Sequence, residues 1–280
     1  PQDRYSQRLI KKLLAENLNR IKRSAWIYHH KYKVYTRYPY QSHLYGLPTQ
    51  NIEKSLIALQ KERNKSYPAP ATNYYQWLRR QFGVRITEDF FIPYTRKLWG
   101  VHPRSLHFSW LKGRVPVPNL KEIIRGAREN YQKEFGPNAV FWYPRQGGIM
   151  AVPLAFQNVL SADCLFLNTP VEGLDFKKRI LYLSKKRRLP YGRYLISTLP
   201  LPELISLIHQ VPLKVKQAVR GLQWKKVICF NLGIEQKPTD NKHWIYFYES
   251  PFVFYRVSFP LNFSRFNGPA GCSSLCIEVC

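Results

Sequence analysis

The chain has 280 residues, of which 45% are hydrophobic and 15% aromatic, so it has enough apolar material for a folded interior and is not intrinsically disordered. Forty-four Lys and Arg against 17 Asp and Glu give a formal net charge of +27, which indicates an anionic partner. Zinc-finger spacing, a glycine-aromatic RNA-binding signature and a basic recognition helix are all lacking. We therefore expect no specific nucleic-acid binding, and only nonspecific attraction to phosphate.

The sequence contains no apolar run long enough to span a membrane and no signal-peptide core near its start. Its five cysteines are Cys164, Cys229, Cys272, Cys276 and Cys280. They form neither a paired framework nor a zinc-ligand pattern, so we predict reduced thiols, a cytoplasmic location and no metal site. Because the first residue is Pro1 and the single methionine is Met150, we expect a processed chain or a fragment.

The first elements in chain order are a helix and a pair of strands. Residues 4–23 carry apolar side chains at three- and four-residue spacing, which predicts an amphipathic helix with a solvated basic face. Residues 26–40 alternate aromatic and β-branched residues with basic ones, as paired strands do. His29 and His30 would point to opposite faces of a strand, so we predict a structural histidine and not a joint metal site.

The middle of the chain is predicted to be rich in helix. A helix over 51–63 is expected, with Thr49 or Asn51 as its N-cap. A second helix over 74–82 is expected to end at Gly83, because glycine is the common residue just beyond a helix.

Two further helices are predicted before the pattern changes. One should start at Thr87 and be kinked or ended by Pro93. The next should begin at a capping pair, Asn119 and Glu122, and end near Asn130.

The second half of the chain has the short apolar runs that are typical of strands. The predicted strands are 165–167, 180–183, 194–197, 227–230, 244–247, 252–255 and 275–279. The predicted fold class is therefore α/β in the α+β sense, with a helix-rich region and a mixed or antiparallel sheet.

The most distinctive stretch runs from Phe90 to Pro118 and combines aromatic rings, cations and four prolines. Its ring and cation residues include Tyr94, Arg96, Lys97, Trp99, Trp110 and Arg114. Aromatic rings offer flat apolar faces, and arginines offer forked donors that match phosphate or carboxylate oxygens. The stretch is either the wall of a binding site or a core helix with its polar residues in water, and composition leaves both open.

Several segments in order resemble one superfamily. The run from Tyr94 reads Tyr-Thr-Arg-Lys-Leu-Trp-Gly, and Arg-Val-Pro-Val follows from Arg114. Further matching segments are 37–48, 143–148, 196–201 and 254–260. Together they resemble the flavoproteins that include amine oxidases, protoporphyrinogen oxidase and UDP-galactopyranose mutase. The resemblance implies a two-domain FAD-oxidoreductase-like fold.

The resemblance also implies site residues. In a mutase, Tyr94 would stack on uracil, Trp99 would line the pocket, and Arg114 would lie beside flavin and diphosphate. Tyr143 and Arg145 would bind substrate. Residues implied to contact the cofactor, in part through their main chain, are Gly147, Gly148, Val171, Ser197, Thr198 and Pro200.

Two departures from the family pattern affect this interpretation. Pro118 stands where the mutase pattern has a second arginine. No Gly-x-Gly-x-x-Gly turn is present to place a pyrophosphate on a helix N-terminus, and in the family this motif lies upstream. We therefore expect an incomplete fold that retains FAD poorly. The expected parts are an FAD-domain remnant (1–48), a helix-rich substrate region (49–160), a return to the FAD sheet (161–210) and a truncated substrate-domain sheet (211–280).

Arg256 lies in an almost wholly apolar run, where an unpaired guanidinium would be costly to bury. One possibility is that it pairs with an acid, either Glu249 or Glu278. The other is that it faces the substrate and flavin as a catalytic residue. We favour the pairing.

The resemblance predicts a FAD-dependent oxidoreductase of the amine oxidase kind that acts on a small molecule. A flavin-dependent mutase acting on a nucleotide sugar is the second hypothesis. A basic binding module without catalysis is the third.

Overall fold

The computed structural model describes residues 3–111, 113–136 and 138–280. The chain divides into two compact units: unit 1 comprises residues 1–156 and 227–280, and unit 2 comprises residues 157–226. Both contain helices and strands, which confirms the mixed α/β class. No helix in the described ranges is long and apolar enough to cross a bilayer.

The helices are α1 (Arg4–Leu14), α2 (Thr49–Arg63), α3 (Tyr74–Ile86), α4 (Ile92–Trp99), α5 (Leu120–Arg128), α6 (Ala151–Gln157), α7 (Leu201–Leu207), α8 (Leu213–Arg220) and α9 (Pro260–Phe263). The strands are β1 (Leu18–Lys22), β2 (Ala25–His29), β3 (Val34–Arg37), β4 (Val140–Pro144), β5 (Val171–Asp175), β6 (Ile180–Leu183), β7 (Arg187–Pro190), β8 (Ile228–Ile234), β9 (Trp244–Phe247), β10 (Arg256–Ser258) and β11 (Ser273–Val279).

Unit 1 is built on a six-stranded sheet with the order β3-β2-β9-β10-β11-β8. All neighbours are antiparallel except β2 and β9, which are parallel. Along β2 the buried residues alternate, so Ala25, Ile27 and His29 share one face. Ile27 belongs to the same core cluster as Phe82 and Phe90 from the helical region.

His29 is fully buried, and both of its ring nitrogens have partners, as predicted for a structural histidine. Nδ1 lies 3.1 Å from the Tyr248 hydroxyl, and Nε2 lies 2.9 Å from Oγ1 of Thr36. Burial lowers the pKa of His29 to about 4, so the ring is neutral.

The predicted N-terminal helix over 4–23 is wrong in its second half. Helix α1 ends at Leu14, and Ala15 has a φ of 46°, outside the helical region. The next residues form β1, in which Ile21 pairs with Phe141 of β4. A partner strand more than a hundred residues away therefore overrides the local helical spacing.

Helix boundaries follow the predictions in part. Helix α2 has Pro48 at its N-cap and no side-chain cap, so the predicted caps Thr49 and Asn51 are wrong. The predicted capping box of Asn119 and Glu122 is present at the start of α5 and is confirmed.

Gly83 interrupts α3, in agreement with the predicted end of the helix over 74–82. Its φ of 77° and ψ of 168° are not helical, and the second part of α3 runs to Ile86 before a wider π-helical turn leads into α4. A Cβ atom at Gly83 would lie 2.7 Å from the backbone nitrogen of Leu59 on α2. The glycine is thus required both by the break in the helix and by the close packing against α2. Pro93 lies in the first turn of α4, where its missing N–H costs nothing.

Unit 2 contains an antiparallel sheet with the order β5-β6-β7, together with α7 and α8. Leu174 and Leu183 are its buried apolar side chains on these strands. The predicted strands at 165–167 and 194–197 are wrong, because these apolar runs find no partner strand in the described chain. Ile196, for example, is 89% exposed. The predicted strand at 252–255 is also wrong, although Tyr255 is hydrogen-bonded to Phe247 and Glu278 through its backbone.

Candidate functional site

Tyr94 is held in an aromatic cluster between α4 and the sheet of unit 1. Its ring stacks on Phe90 at 5.3 Å and meets Tyr246 of β9 edge-on at 5.7 Å. Tyr246 also contacts Tyr38 at 4.7 Å. We call Tyr38, Tyr94 and Tyr246 the tyrosine cluster. Burial raises the pKa of Tyr38 and of Tyr94 well above the ordinary value, so both phenols stay protonated.

Arg256 lies beside the tyrosine cluster on the same face of the sheet. The register places Arg256 of β10 directly between Tyr246 of β9 and Glu278 of β11. Its Nε and Nη2 atoms each donate to a different oxygen of Glu278 at 2.7 Å. This bidentate pair confirms the predicted pairing with Glu278. The positive charge of the Arg256 guanidinium lowers the pKa of Tyr38 and of Tyr94, against the larger effect of burial. Arg256 is therefore close enough to act electrostatically on the tyrosine cluster.

Tyr255 completes the environment of this ion pair. Its hydroxyl donates to the Glu278 carboxylate, which therefore accepts from two residues. The Glu278 side chain is 10% exposed, whereas that of Arg256 is 33% exposed. The Arg256 side chain is therefore more accessible to solvent than its carboxylate partner is.

Lys97 of α4 forms hydrogen bonds to the end of β9 and to the connection between β9 and β10. Its ammonium donates to the backbone carbonyls of Phe247, Glu249 and Phe254 at 2.9, 2.6 and 3.2 Å. Burial lowers the pKa of Lys97 to about 8. Sequence reasoning grouped Lys97 with the other cations and assigned it no role, although its place between Tyr94 and Trp99 was the available signal.

Trp99 and Arg114 are at the exposed end of this region. Trp99 is the last residue of α4, is 45% exposed, and meets Trp110 edge-on at 5.9 Å. Arg114 is exposed in the following loop, where its backbone nitrogen donates to the carbonyl of Leu111. Arg96 is also exposed. In the described part of the chain, neither Trp99 nor Arg114 has a ring contact or side-chain hydrogen bond with the tyrosine cluster.

The glycine turn after β4 is a separate part of unit 1. Gly147 and Gly148 have φ values of 77° and 57°, which favour glycine. A Cβ atom at Gly148 would lie 3.6 Å from both the Tyr143 hydroxyl and Oδ1 of Asn267. The turn therefore faces two polar groups, a hydroxyl and an amide, which are of the kinds that hydrogen-bond the polar edge of a flat ring such as a flavin.

Two neighbours of the turn are fixed in place. The ring of Tyr143 stacks on Phe263 at 5.3 Å. Arg145 is exposed, and its Nε donates to Oδ1 of Asn19 at 3.1 Å.

The remaining predicted cofactor residues lie in unit 2. Val171 begins β5, and Pro200 is the N-cap residue of α7. Ser197 and Thr198 are exposed, and the Ser197 hydroxyl accepts from the backbone nitrogen of Leu199 at 3.3 Å. Their role in binding a cofactor stays a prediction.

Comparison with known proteins found no matching family model. Among solved structures, the crystal structure of reduced UDP-galactopyranose mutase matches 96% of the chain, with a TM-score of 0.87 and 27% identity. A protein from Exiguobacterium sp. 255-15 assigned as a protoporphyrinogen oxidase matches 98%, with a TM-score of 0.67 and 15% identity. PF1083 from Pyrococcus furiosus also matches 98%, with a TM-score of 0.62 and 13% identity.

These matches confirm the resemblance that the sequence motifs indicate: the chain has the fold of FAD-dependent, amine oxidase-like flavoproteins. At 13–15% identity the last two matches show the fold alone. Of the three, the mutase shares the most identity with the chain. The chain spans 60–63% of the length of these proteins.

Proposed function

We propose that this chain forms the substrate-facing part of a FAD-dependent oxidoreductase of the amine oxidase-like class. The observation that carries the proposal is the position of Arg256 on the sheet beside Tyr246, whose ring meets Tyr94 of α4 edge-on, in a fold shared with flavoproteins. A partly exposed cation near neutral phenols can orient an anionic or polar small molecule.

In unit 1, the turn of Gly147 and Gly148 would contact FAD, and Tyr143 would bind substrate. In unit 2, taken by itself, the resemblance implies FAD contacts at Val171, Ser197, Thr198 and Pro200. When bound, FAD would supply the hydride or electron transfer. Arg256 would then contribute positive charge, and the tyrosine cluster would exclude water. Trp99 and Arg114 would form the outer wall, with Arg145 as a further contact for substrate.

We further propose that these 280 residues alone bind FAD weakly and are inactive. They contain no glycine-rich turn that would place the pyrophosphate on a helix N-terminus. The test is the flavin content of the chain after purification with added FAD, compared with that of protein made from the complete gene. A stoichiometric flavin in the chain alone would refute the weak binding, and no flavin in either protein would refute the proposed function.

A flavin-dependent mutase acting on a nucleotide sugar is the second candidate. It is favoured by the TM-score of 0.87 and 27% identity with UDP-galactopyranose mutase. The stacking of Tyr94 on Phe90 occupies one face of the ring, so only its remaining surface could meet a base. Pro118, in place of the second arginine of the mutase pattern, argues against this candidate.

The two candidates differ in electron balance. An isomerisation of UDP-galactopyranose by the reduced complete protein, without net consumption of oxygen, would favour the mutase. Sustained consumption of an electron acceptor with an oxidisable substrate, without isomerisation, would favour the oxidoreductase.

A further inference from the structure

Unit 2 carries a dense group of exposed cations on its three-stranded sheet. Between residues 157 and 226 there are thirteen Lys and Arg and only four Asp and Glu. Seven of the cations, at 177–179 and 185–188, lie in the two turns and at the start of β7, and all seven are exposed. We call these seven residues the basic hairpin surface. Across the described residues, none of the seven forms a salt bridge.

Three members of this surface have left-handed backbone conformations. Arg179, Lys185 and Lys186 have φ values of 53°, 59° and 58°. A side chain with a Cβ atom is strained in this region relative to glycine, and Asn or Gly would form such a turn with less strain. Cations are therefore present where local stability favours other residues. Such a conflict is typical of a functional surface.

The cations form an elongated array. Strand β6 joins the two turns, so 177–179 and 185–186 lie at its opposite ends. Its four residues span about 13 Å at the usual rise of a strand. Arg187 and Arg188 are consecutive on the edge strand β7 and so point to opposite faces of the sheet.

We propose that the basic hairpin surface binds the phosphate backbone of single-stranded nucleic acid without reading its sequence. A flexible polyanion can follow cations along a strand and around both faces of a sheet edge, whereas a flat anionic bilayer reaches one end or one face. Tyr194 lies four residues beyond β7, is 75% exposed, and has the Arg193 guanidinium 5.3 Å from its ring centroid. An exposed ring of this kind offers a stacking platform for a base.

Protection of an open sheet edge against pairing with another sheet explains only some of the cations of the basic hairpin surface. Charged side chains on an edge strand prevent two sheets from pairing, and Arg187 and Arg188 could serve that purpose. The cations at 177–179 are in the turn between β5 and β6 and not on an edge strand, so edge protection does not require them.

The test uses the whole 280-residue chain and a fluorescein-labelled oligothymidylate of about 20 nucleotides, long enough for the usual site sizes. Anisotropy is followed as salt is raised. The hairpin variant carries Lys185→Ala, Lys186→Ala, Arg187→Ala and Arg188→Ala. A matched control removes four exposed cations from α1 through Arg4→Ala, Arg8→Ala, Lys11→Ala and Lys12→Ala. Both variants have the same net charge.

We expect the hairpin variant to lose at least tenfold in affinity and the α1 variant to stay within about threefold of the unmodified chain. For seven phosphate contacts, log K should fall against log salt with a slope of about −5, and removing four contacts should make that slope shallower by about 3. A second variant, Lys185→Asn with Lys186→Gly, removes the backbone strain of two lysines with positive φ. It should fold at least as well as the unmodified chain and bind the oligonucleotide more weakly.

Three results would overturn the proposal. One is the absence of oligonucleotide binding at low salt. Another is an equal loss in the hairpin and α1 variants, which would assign binding to net charge alone. The third is a loss of binding to phosphatidylserine vesicles in the hairpin variant while its oligonucleotide affinity is unchanged, which would identify a membrane surface instead.

Discussion

The buried and half-buried arginines of unit 1 differ from the hairpin cations of unit 2 in their ion-pair partners. In unit 1 the buried arginine Arg23 pairs with buried Glu134 at 2.8 Å, and Arg256 is paired on two atoms with Glu278. In unit 2 the seven cations of the basic hairpin surface are exposed, and no salt bridge is found for them within the described residues. A buried charge requires a partner, whereas an exposed one is stabilised by water. The excess positive charge of unit 2 thus lies on its surface, where it is accessible to a polyanion.

The two units also differ in how their interiors are built. The core of unit 1 is a continuous aromatic stack, in which Tyr40, Phe90 and Tyr94 lie face to face at 4.8 and 5.3 Å. On the strands of unit 2 the buried apolar side chains are Leu174 and Leu183. Tyr94, a predicted site residue of unit 1, therefore packs against a close-packed aromatic core, which limits its movement.

The largest expected effect comes from breaking the buried ion pair of unit 1. Glu134→Ala leaves Arg23 buried without its carboxylate and should lower the free energy of unfolding by about 3–5 kcal/mol. The exposed pair of Arg125 and Glu129 is the control, and Glu129→Ala should change little. Urea unfolding measures both variants. An equal loss of unfolding free energy in the two variants would mean that burial does not determine how much an ion pair contributes to stability.

Gly83 gives the next largest effect, because it combines left-handed backbone with a close helix contact. Gly83→Ala should cost about 2–4 kcal/mol, the sum of strain and the clash with the backbone of Leu59. Gly113 has a similar φ of 74°, but a Cβ atom added there would have no neighbour within 4 Å. Gly113→Ala should therefore cost only the strain, about 1–2 kcal/mol. Thermal unfolding of both variants separates the two causes, and equal losses would rule out the clash.

Acid should destabilise unit 1 through His29. The pKa of His29 is about 4 in the folded chain and 6.5 in the unfolded chain. Between pH 4 and pH 6.5 the unfolded chain therefore binds a proton that the folded chain does not. The contribution of His29 to stability should be complete above pH 6.5 and should fall by about 3 kcal/mol as the pH drops to 4. Unfolding of wild type and His29→Asn across this range measures it. A pH dependence as steep in the variant as in wild type would contradict the assignment.

Lys97 should have the smallest effect of the four. Lys97→Met removes three donated hydrogen bonds but also a partly buried charge, so we expect a loss of about 1–2 kcal/mol at neutral pH. Because the folded pKa of about 8 lies below the ordinary 10.5, the contribution of Lys97 to stability should rise between pH 8 and 10.5. The variant should lack this rise. Arg96→Met, on the same helix but exposed, is the control and should retain it.

Local patterns predicted those parts of the site that depend on neighbouring residues. The helix predicted from Thr87 corresponds to the π-helical turn and α4, and the capping box at Asn119 indicated the start of α5. The strand β2 followed from alternation of residue type. In each case periodicity or a cap is encoded within a few residues, so no distant partner is needed to recognise it.

The tertiary structure decided which distant residues meet. Arg256 had two candidate acids, and the strand register selected Glu278, whereas the Glu249 carboxylate accepts the backbone N–H groups of His30 and Lys31. The role of Lys97 depends on carbonyl groups about 150 residues away, which no local pattern reveals. The sequence by itself determined the resemblance, the mixed fold class and the aromatic motif. Only strand pairing decided the partners of the charged residues, because register is set by contacts across the whole sheet.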